Sequence, residues 1–166
     1  MPSLQRGFVC GASVLLLATL VACASPANLP VGTSIGEARQ SFGRLSAEYP
    51  LADGGTRLEV PQGRATQMLD FDADGRLVSV QQVLTPETFA TITPGMTQQQ
   101  VLTRIGRPAF TFPVGWQKVK VWNYRFDGLD GDCVVFQVSI SNETRTVTDA
   151  GPNTDPACSH GPDKSG

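Results

Sequence analysis

Hydrophobic and polar residues follow three different rhythms along this chain. The first is an unbroken apolar run, Gly7 to Ala18, which follows the single charge Arg6 and leads into Leu20-Val21-Ala22-Cys23. It is shorter than the roughly 20 residues a membrane-crossing helix needs, and it ends on small residues, as a secretory leader does at its cleavage site. The second rhythm is helical. Ile35, Ala38 and Phe42, and again Val101, Leu102 and Ile105, recur at the spacing that gathers apolar side chains on one face. The third has a period of two and reads as strand: Leu58 and Val60; Leu69 and Phe71; Val78, Val80 and Leu84; Trp122, Tyr124 and Phe126; Val134, Phe136, Val138 and Ile140.

The two helical stretches align at an offset of 63 residues, Gly32–Arg44 on Gly95–Arg107. Ser34-x-x-Glu37 and Thr97-x-x-Gln100 are both capping boxes, in which the hydroxyl and the longer side chain each accept from the other residue's amide. Met96 and Val101 stand at the staple positions of the second helix. Gly43 and Gly106 fall where a left-handed C-cap is wanted, and Pro108 stops any continuation. Arg104 and Arg107 suit the negative end of the helix dipole. Helices this short do not persist alone and must pack on something.

Strands supply that support. Thr56–Val60, Gln67–Phe71 and Leu77–Leu84 follow the first helix, with Asp72-Ala73-Asp74-Gly75 as a hairpin turn. After the second helix come the strands around Trp122 and Phe136, a turn at 127–132, and a strand over Arg145–Asp149. A short helix over Pro86–Ile92, capped by Thr85 with Pro at its first position, joins the halves. The expected class is α+β: two tandem small units, each a short helix or helix pair on an antiparallel meander. The divisions are a leader at 1–22, a polar tether at 23–31, a degenerate first repeat at 32–83, a second domain at 84–150 and a polar tail at 151–166.

Composition narrows the function. With 40% hydrophobic residues, 17% charged and a net charge of −2, the chain lacks the basic excess that nucleic-acid binding needs. Leu20-Val21-Ala22-Cys23 resembles the lipobox of bacterial lipoproteins, against the alternatives of an ordinary signal peptide or a short anchor helix. Lipidation of Cys23 implies palmitate-type acyl chains, enough of them for stable anchoring, and loss of Arg6 with the leader takes the net charge to −3. Ala24, in place of an Asp after the cysteine, favours the outer membrane. Of four cysteines, Cys10 leaves with the leader and Cys23 takes lipid, so Cys133 and Cys158 remain as a disulfide pair in an oxidising compartment. Bridged, they close a loop of about 25 residues, worth roughly 3 kcal/mol. A metal or redox pair is the alternative, without a C-x-x-C and with the single histidine, His160, in the tail.

Leu84-Thr85, Ile92, the run Gly95-Met96-Thr97-Gln98-Gln99-Gln100-Val101, then Gly106-x-Pro108 and Trp122-x-Tyr124-x-Phe126 together resemble the BamE (SmpA/OmlA) lipoproteins, over residues 84–149. The resemblance implies an outer-membrane lipoprotein with two helices on a three-stranded antiparallel sheet, serving as an accessory of the outer-membrane β-barrel assembly machinery. The first copy lacks the Trp and Tyr positions. Paired helix-and-sheet units are also similar to the β-lactamase-inhibitor-protein fold, whose concave sheet binds another protein, so fold transfers more readily than role.

Other candidate chemistry is sparse. Asp70-x-Asp72-x-Asp74-Gly75 opens like a calcium loop, but Gln81 stands where the closing acid is required, and a hairpin turn accounts for the same residues. Trp116, Trp122 and Tyr124, with Lys118, Lys120 and Arg125, read either as a contact patch for protein or anionic head groups, or, for Trp122 and Tyr124, as filling between helix and sheet. Trp116, among Pro113, Val114 and Gly115, is the candidate for exposure. No catalytic motif, metal site or cofactor is expected. The sequence therefore points to a non-enzymatic, lipid-anchored protein on the periplasmic face of the outer membrane. Its partners are membrane lipid and envelope proteins, barrel-assembly subunits among them. The alternative is an inhibitor-like or sensing module. The disulfide is directly checkable: unfolded parent protein should show no free thiol, and Cys133→Ala should expose one at Cys158. A reactive parent would refute the bridge.

Overall fold

The structure is a computed structural model that describes residues 25–42, 45, 47–127 and 134–155. It is α+β, with two four-stranded antiparallel sheets and short helices. After a 3-10 turn at Pro26–Asn28 come α1 (Ile35–Phe42), β1 (Ala47–Pro50), β2 (Thr56–Gln62), β3 (Ala65–Phe71) and β4 (Leu77–Gln82). Then follow α2 (Pro86–Phe89), α3 (Gln98–Ile105), β5 (Phe110–Val114), β6 (Val119–Arg125), β7 (Val134–Ser141) and β8 (Val147–Thr154). Each sheet runs in chain order, β1 to β4 and β5 to β8, so every connection within a sheet is a simple hairpin.

Both capping boxes form. Ser34 Oγ accepts from Glu37 N at 3.2 Å while Ser34 N donates to the Glu37 carboxylate at 2.9 Å. The Ser34 hydroxyl, which donates to the Glu37 carboxylate at 2.7 Å, and then the Ser34 amide hold that carboxyl below its usual range. The chain ahead of each helix is stitched to the start of a fourth strand in the same way. Gly32 N donates to Leu77 O and Leu77 N to Thr33 O; Gly95 N donates to Val147 O and Val147 N to Met96 O, all at 2.8–2.9 Å. Helix and sheet are thereby fixed by backbone as well as by packing.

The first sheet is covered on both faces. Leu58, Val60, Leu69, Phe71 and Leu77 pack with Ala38 of α1 into one core. Tyr49 and Met68, from the opposite face, join a larger core with Val101 and Ile105 of α3 and Trp122, Tyr124, Phe136, Val138 and Ile140 of the second sheet. Helix α3 therefore lies between the two sheets. Within that core Phe89 of α2 stacks on Phe136 at 4.2 Å and meets Phe126 edge-on at 4.9 Å, the geometries aromatic quadrupoles favour.

Several expectations change. Each sheet has four strands rather than three, because β1 and β5 were not foreseen: Pro50 and Pro113 mask them, and proline is tolerated because both are edge strands. Strand β8 continues through Gly151-Pro152-Asn153-Thr154, residues that read as tail in the sequence; β8 too is an edge. The Pro86–Ile92 helix is one turn, Pro86–Phe89, capped by Thr85 as expected. Val78, Val80 and Leu84 do not share one environment: Val78 is exposed, Val80 borders the smaller core and Leu84 enters the larger. The tether is not free over its length, since Pro26 is buried and Leu29 packs on the smaller core. Cys23, Gly43, Cys133 and Cys158 lie outside the described residues.

Candidate functional site

The motif residues converge at the two ends of α3. At its start, Gly95 has φ 91°, a left-handed value that suits glycine, and its amide is the one that binds Val147 O. Thr97 and Gln100 close the second capping box, with Gln100 N to Thr97 Oγ1 at 3.2 Å and Thr97 N to Gln100 Oε1 at 2.8 Å. Met96 borders the larger core, and Val101 within it is fully buried.

At the other end, Gly106 has φ 77° and ψ −165°, so it is extended with positive φ rather than the left-handed cap expected. This backbone is open essentially to glycine alone. Its amide donates to Leu102 O at 2.8 Å, and its carbonyl accepts the Tyr124 hydroxyl at 3.0 Å. Two residues on, Pro108 leads into Ala109, whose amide donates to Asn123 O at 2.8 Å and starts the pairing of β5 with β6. The G-x-P and W-x-Y-x-F segments thus form one joint, turning the chain from helix to sheet around a buried phenol. Trp122 and Phe126 flank Tyr124 on the same core face.

A third party enters from the first sheet. Glu59, 1% exposed, accepts from Arg107 N at 3.0 Å and from the Tyr49 hydroxyl. A Cβ on Gly106 would stand 2.9 Å from the Glu59 carboxyl and would have to displace it from its hydrogen bonds. Beside it Arg57 forms a two-pronged ion pair with Asp70 at 2.6 and 2.7 Å and donates to Thr103 O, the last turn of α3, at 2.7 Å. Burial first, then the neighbouring Glu59, drives the Tyr49 phenol well above its ordinary range, and burial does the same for Tyr124. Both stay protonated donors in the folded protein. Each Glu59 oxygen is engaged, so the cluster holds a joint rather than presenting a reactive group.

The expected contact patch divides. Trp116 is 83% exposed at the tip of the β5–β6 hairpin, with Lys118 and Lys120 exposed on the same hairpin. Lys118 adopts φ 53° to make the turn and its carbonyl accepts from Asn142 N at 2.9 Å, bracing the tip against the β7–β8 turn. Trp122 and Tyr124 are not part of that surface: at 7% and 1% exposure they fill the core. Arg125 is committed to Asp155 and lies over the Phe110 ring at 4.9 Å. In the Asp70–Gly75 segment Asp70 pairs with Arg57, while Asp72 Oδ1 accepts from the amides of Asp74 and Arg76 and closes a hairpin turn. An apolar groove of about 510 Å³ runs between α2 and the β7–β8 pair, lined by Pro86, Phe89, Ile92, Val134 and Pro152.

Sequence reasoning missed Tyr49, Arg57 and Glu59. Arg57 and Glu59 alternate with Leu58 and Val60, which reads as a solvent face, and nothing local tells that a helix from much later in the chain covers it.

A helix held between two antiparallel sheets by a glycine–tyrosine joint defines an α+β scaffold. Within it, residues 82–131 match the model of the outer membrane protein assembly factor BamE domain, so that segment is similar to this family. No curated protein matches the chain. Among solved structures, a cysteine-rich secretory protein from Staphylococcus aureus is similar at 14% identity with a TM-score of 0.28. That alignment covers 77% of this chain and 45% of the other, so the chain spans less than half of that protein's length, and a likeness so low carries no argument.

Gly106→Ala should destabilise the fold by about 1–3 kcal/mol through backbone strain alone, with more from the Glu59 contact. Tyr124→Phe, which strands a buried carbonyl, should cost about 1–3 kcal/mol. Denaturant midpoints check both, and parent-like midpoints would show that the joint carries no strain.

Proposed function

We propose that this protein is a non-enzymatic envelope lipoprotein, anchored through acylated Cys23 to the periplasmic face of the outer membrane. It acts by protein–protein contact as an accessory, or a relative, of the outer-membrane β-barrel assembly machinery. The observation that carries this reading is the match of residues 82–131 to an assembly-factor domain. Two features support it. The motif residues of that segment are spent on holding α3 in place, so a scaffolding role accounts for them. What the second sheet leaves exposed is an interface-type anchor, Trp116 with Lys118 and Lys120 beside it.

The identical stitching of Gly32–Thr33 to Leu77 and of Gly95–Met96 to Val147 supports a duplicated origin for the two halves. The inhibitor-like alternative needed exposed aromatics from both halves on a concave sheet. Trp122 and Tyr124 are buried, and the second face of the first sheet is covered by α3, so that reading loses its surface.

Affinity purification from solubilised outer membranes should recover barrel-assembly subunits with the parent protein and fewer with Trp116→Ala. Recovery of none with the parent would contradict the assembly role. In the same strains Cys23→Ser should leave the membrane fraction, whereas unchanged fractionation would overturn the anchor.

A further inference from the structure

The residues that follow the proposed lipid attachment are docked on the first sheet. Ser25 O accepts from Asn28 N at 3.0 Å and Pro26 O from Leu29 N at 3.2 Å, forming the 3-10 turn. Pro26 is buried, the turn lies against β3 and β4, and Leu29 packs on the core that contains Leu58 and Leu69. Pro30 O then accepts from both Thr33 N and Thr33 Oγ1, and Gly32 N donates to Leu77 O. From Ser25 onward the chain is held by hydrogen bonds and packing. Only Ala24 separates Ser25 from Cys23, and two Cα–Cα steps span at most about 8 Å.

A lipid attached that close leaves the body no freedom to stand away from the bilayer. The surface beside the docked turn is apolar where it meets water. Val31 is 76% exposed and Val78 is 51% exposed, and they flank the Gly32–Leu77 hydrogen bond. Val78 stands at a bulge in β4, between Leu77 of the smaller core and Ser79, whose hydroxyl donates to Asp70. The charged groups around it are of both signs: Arg76, which reaches Gly32 O at 3.4 Å, with Glu37, Asp72 and Asp74. One cation against three carboxylates gives no attraction to an anionic surface, so apolar contact must hold the face.

We infer that the Val31–Val78 face lies flush on the bilayer that holds the acyl chains, so the protein has one fixed orientation at the membrane instead of hanging from a flexible tether. The inference rests on the lipoprotein reading above. Its occupant is the lipid surface, identified by the chain length between anchor and docked turn. The hydrophobic term is small by itself and becomes effective because the anchor has already brought the face to the interface.

The test uses the full, lipidated protein in phosphatidylcholine vesicles, carrying Val78→Trp in a Trp116→Phe background so that buried Trp122 is the reference. Lipid spin-labelled near the top of its acyl chains should reduce the residue-78 emission by about half or more. Inserting about twelve Gly and Ser residues after Ala24, which adds roughly 20 Å of flexible reach, should relieve much of that quenching. A protein that fails to float with the vesicles overturns the lipoprotein reading, and this inference with it. A protein that floats but shows no quenching at residue 78 overturns the orientation alone, and leaves the patch for a protein partner. Equal quenching with and without the insert overturns the role of the short tether.

Discussion

A carboxylate with no access to water sits where two sheets and a helix meet. Taking Glu59 out of solvent is costly unless its oxygens are satisfied, and they are satisfied only if Tyr49 and the amide of Arg107 are both in place. The Arg107 amide is there because Gly106 bends the chain without a side chain, and Gly106 is held in turn by the Tyr124 hydroxyl. The joint therefore selects one arrangement of the first sheet against α3, since any slip would leave a buried carboxyl without its hydrogen-bond partners. Arg57, gripping Asp70 and the last turn of α3, fixes the same register from a second point. Apolar burial around Val101 and Ile105 supplies the driving force, and these polar contacts supply the direction.

What was legible beforehand follows from this division. Local signals placed α1 and α3, because a capping box and an apolar stripe are encoded within a few residues of one another. Alternation named the central strands for the same reason. It failed for β1, β5 and the end of β8, where prolines on edge strands break the pattern without breaking the sheet. It also failed for Arg57 and Glu59. Their burial depends on α3, about 45 residues downstream, and a period of two cannot distinguish a solvent face from one covered by a helix. The motif residues were identified by resemblance, and their structural employment became visible only in the folded chain. Trp122 and Tyr124 fill the core, whereas Trp116, on a hairpin tip braced by Asn142, faces water.

The same geometry bears on how a surface can be presented to a partner. A hairpin carrying Trp116, Lys118 and Lys120 is useful as a contact only if its position relative to the rest of the body is fixed. The hydrogen-bonded path from the docked Pro26 turn, through the first sheet and the Glu59 joint to the second sheet, provides that fixity. The polar contacts that orient the sheets about α3 are few, but they are buried or backbone-anchored, which is where such contacts count most.

Amide hydrogen exchange on the mature protein tests this account most directly. If α3 welds the two sheets, amides of Leu58 and Leu69 in the first sheet should open with the same free energy as those of Val138 and Ile140 in the second, through one global unfolding event. Exchange of the first sheet through a distinct, lower-energy opening, with the second still protected, would contradict it.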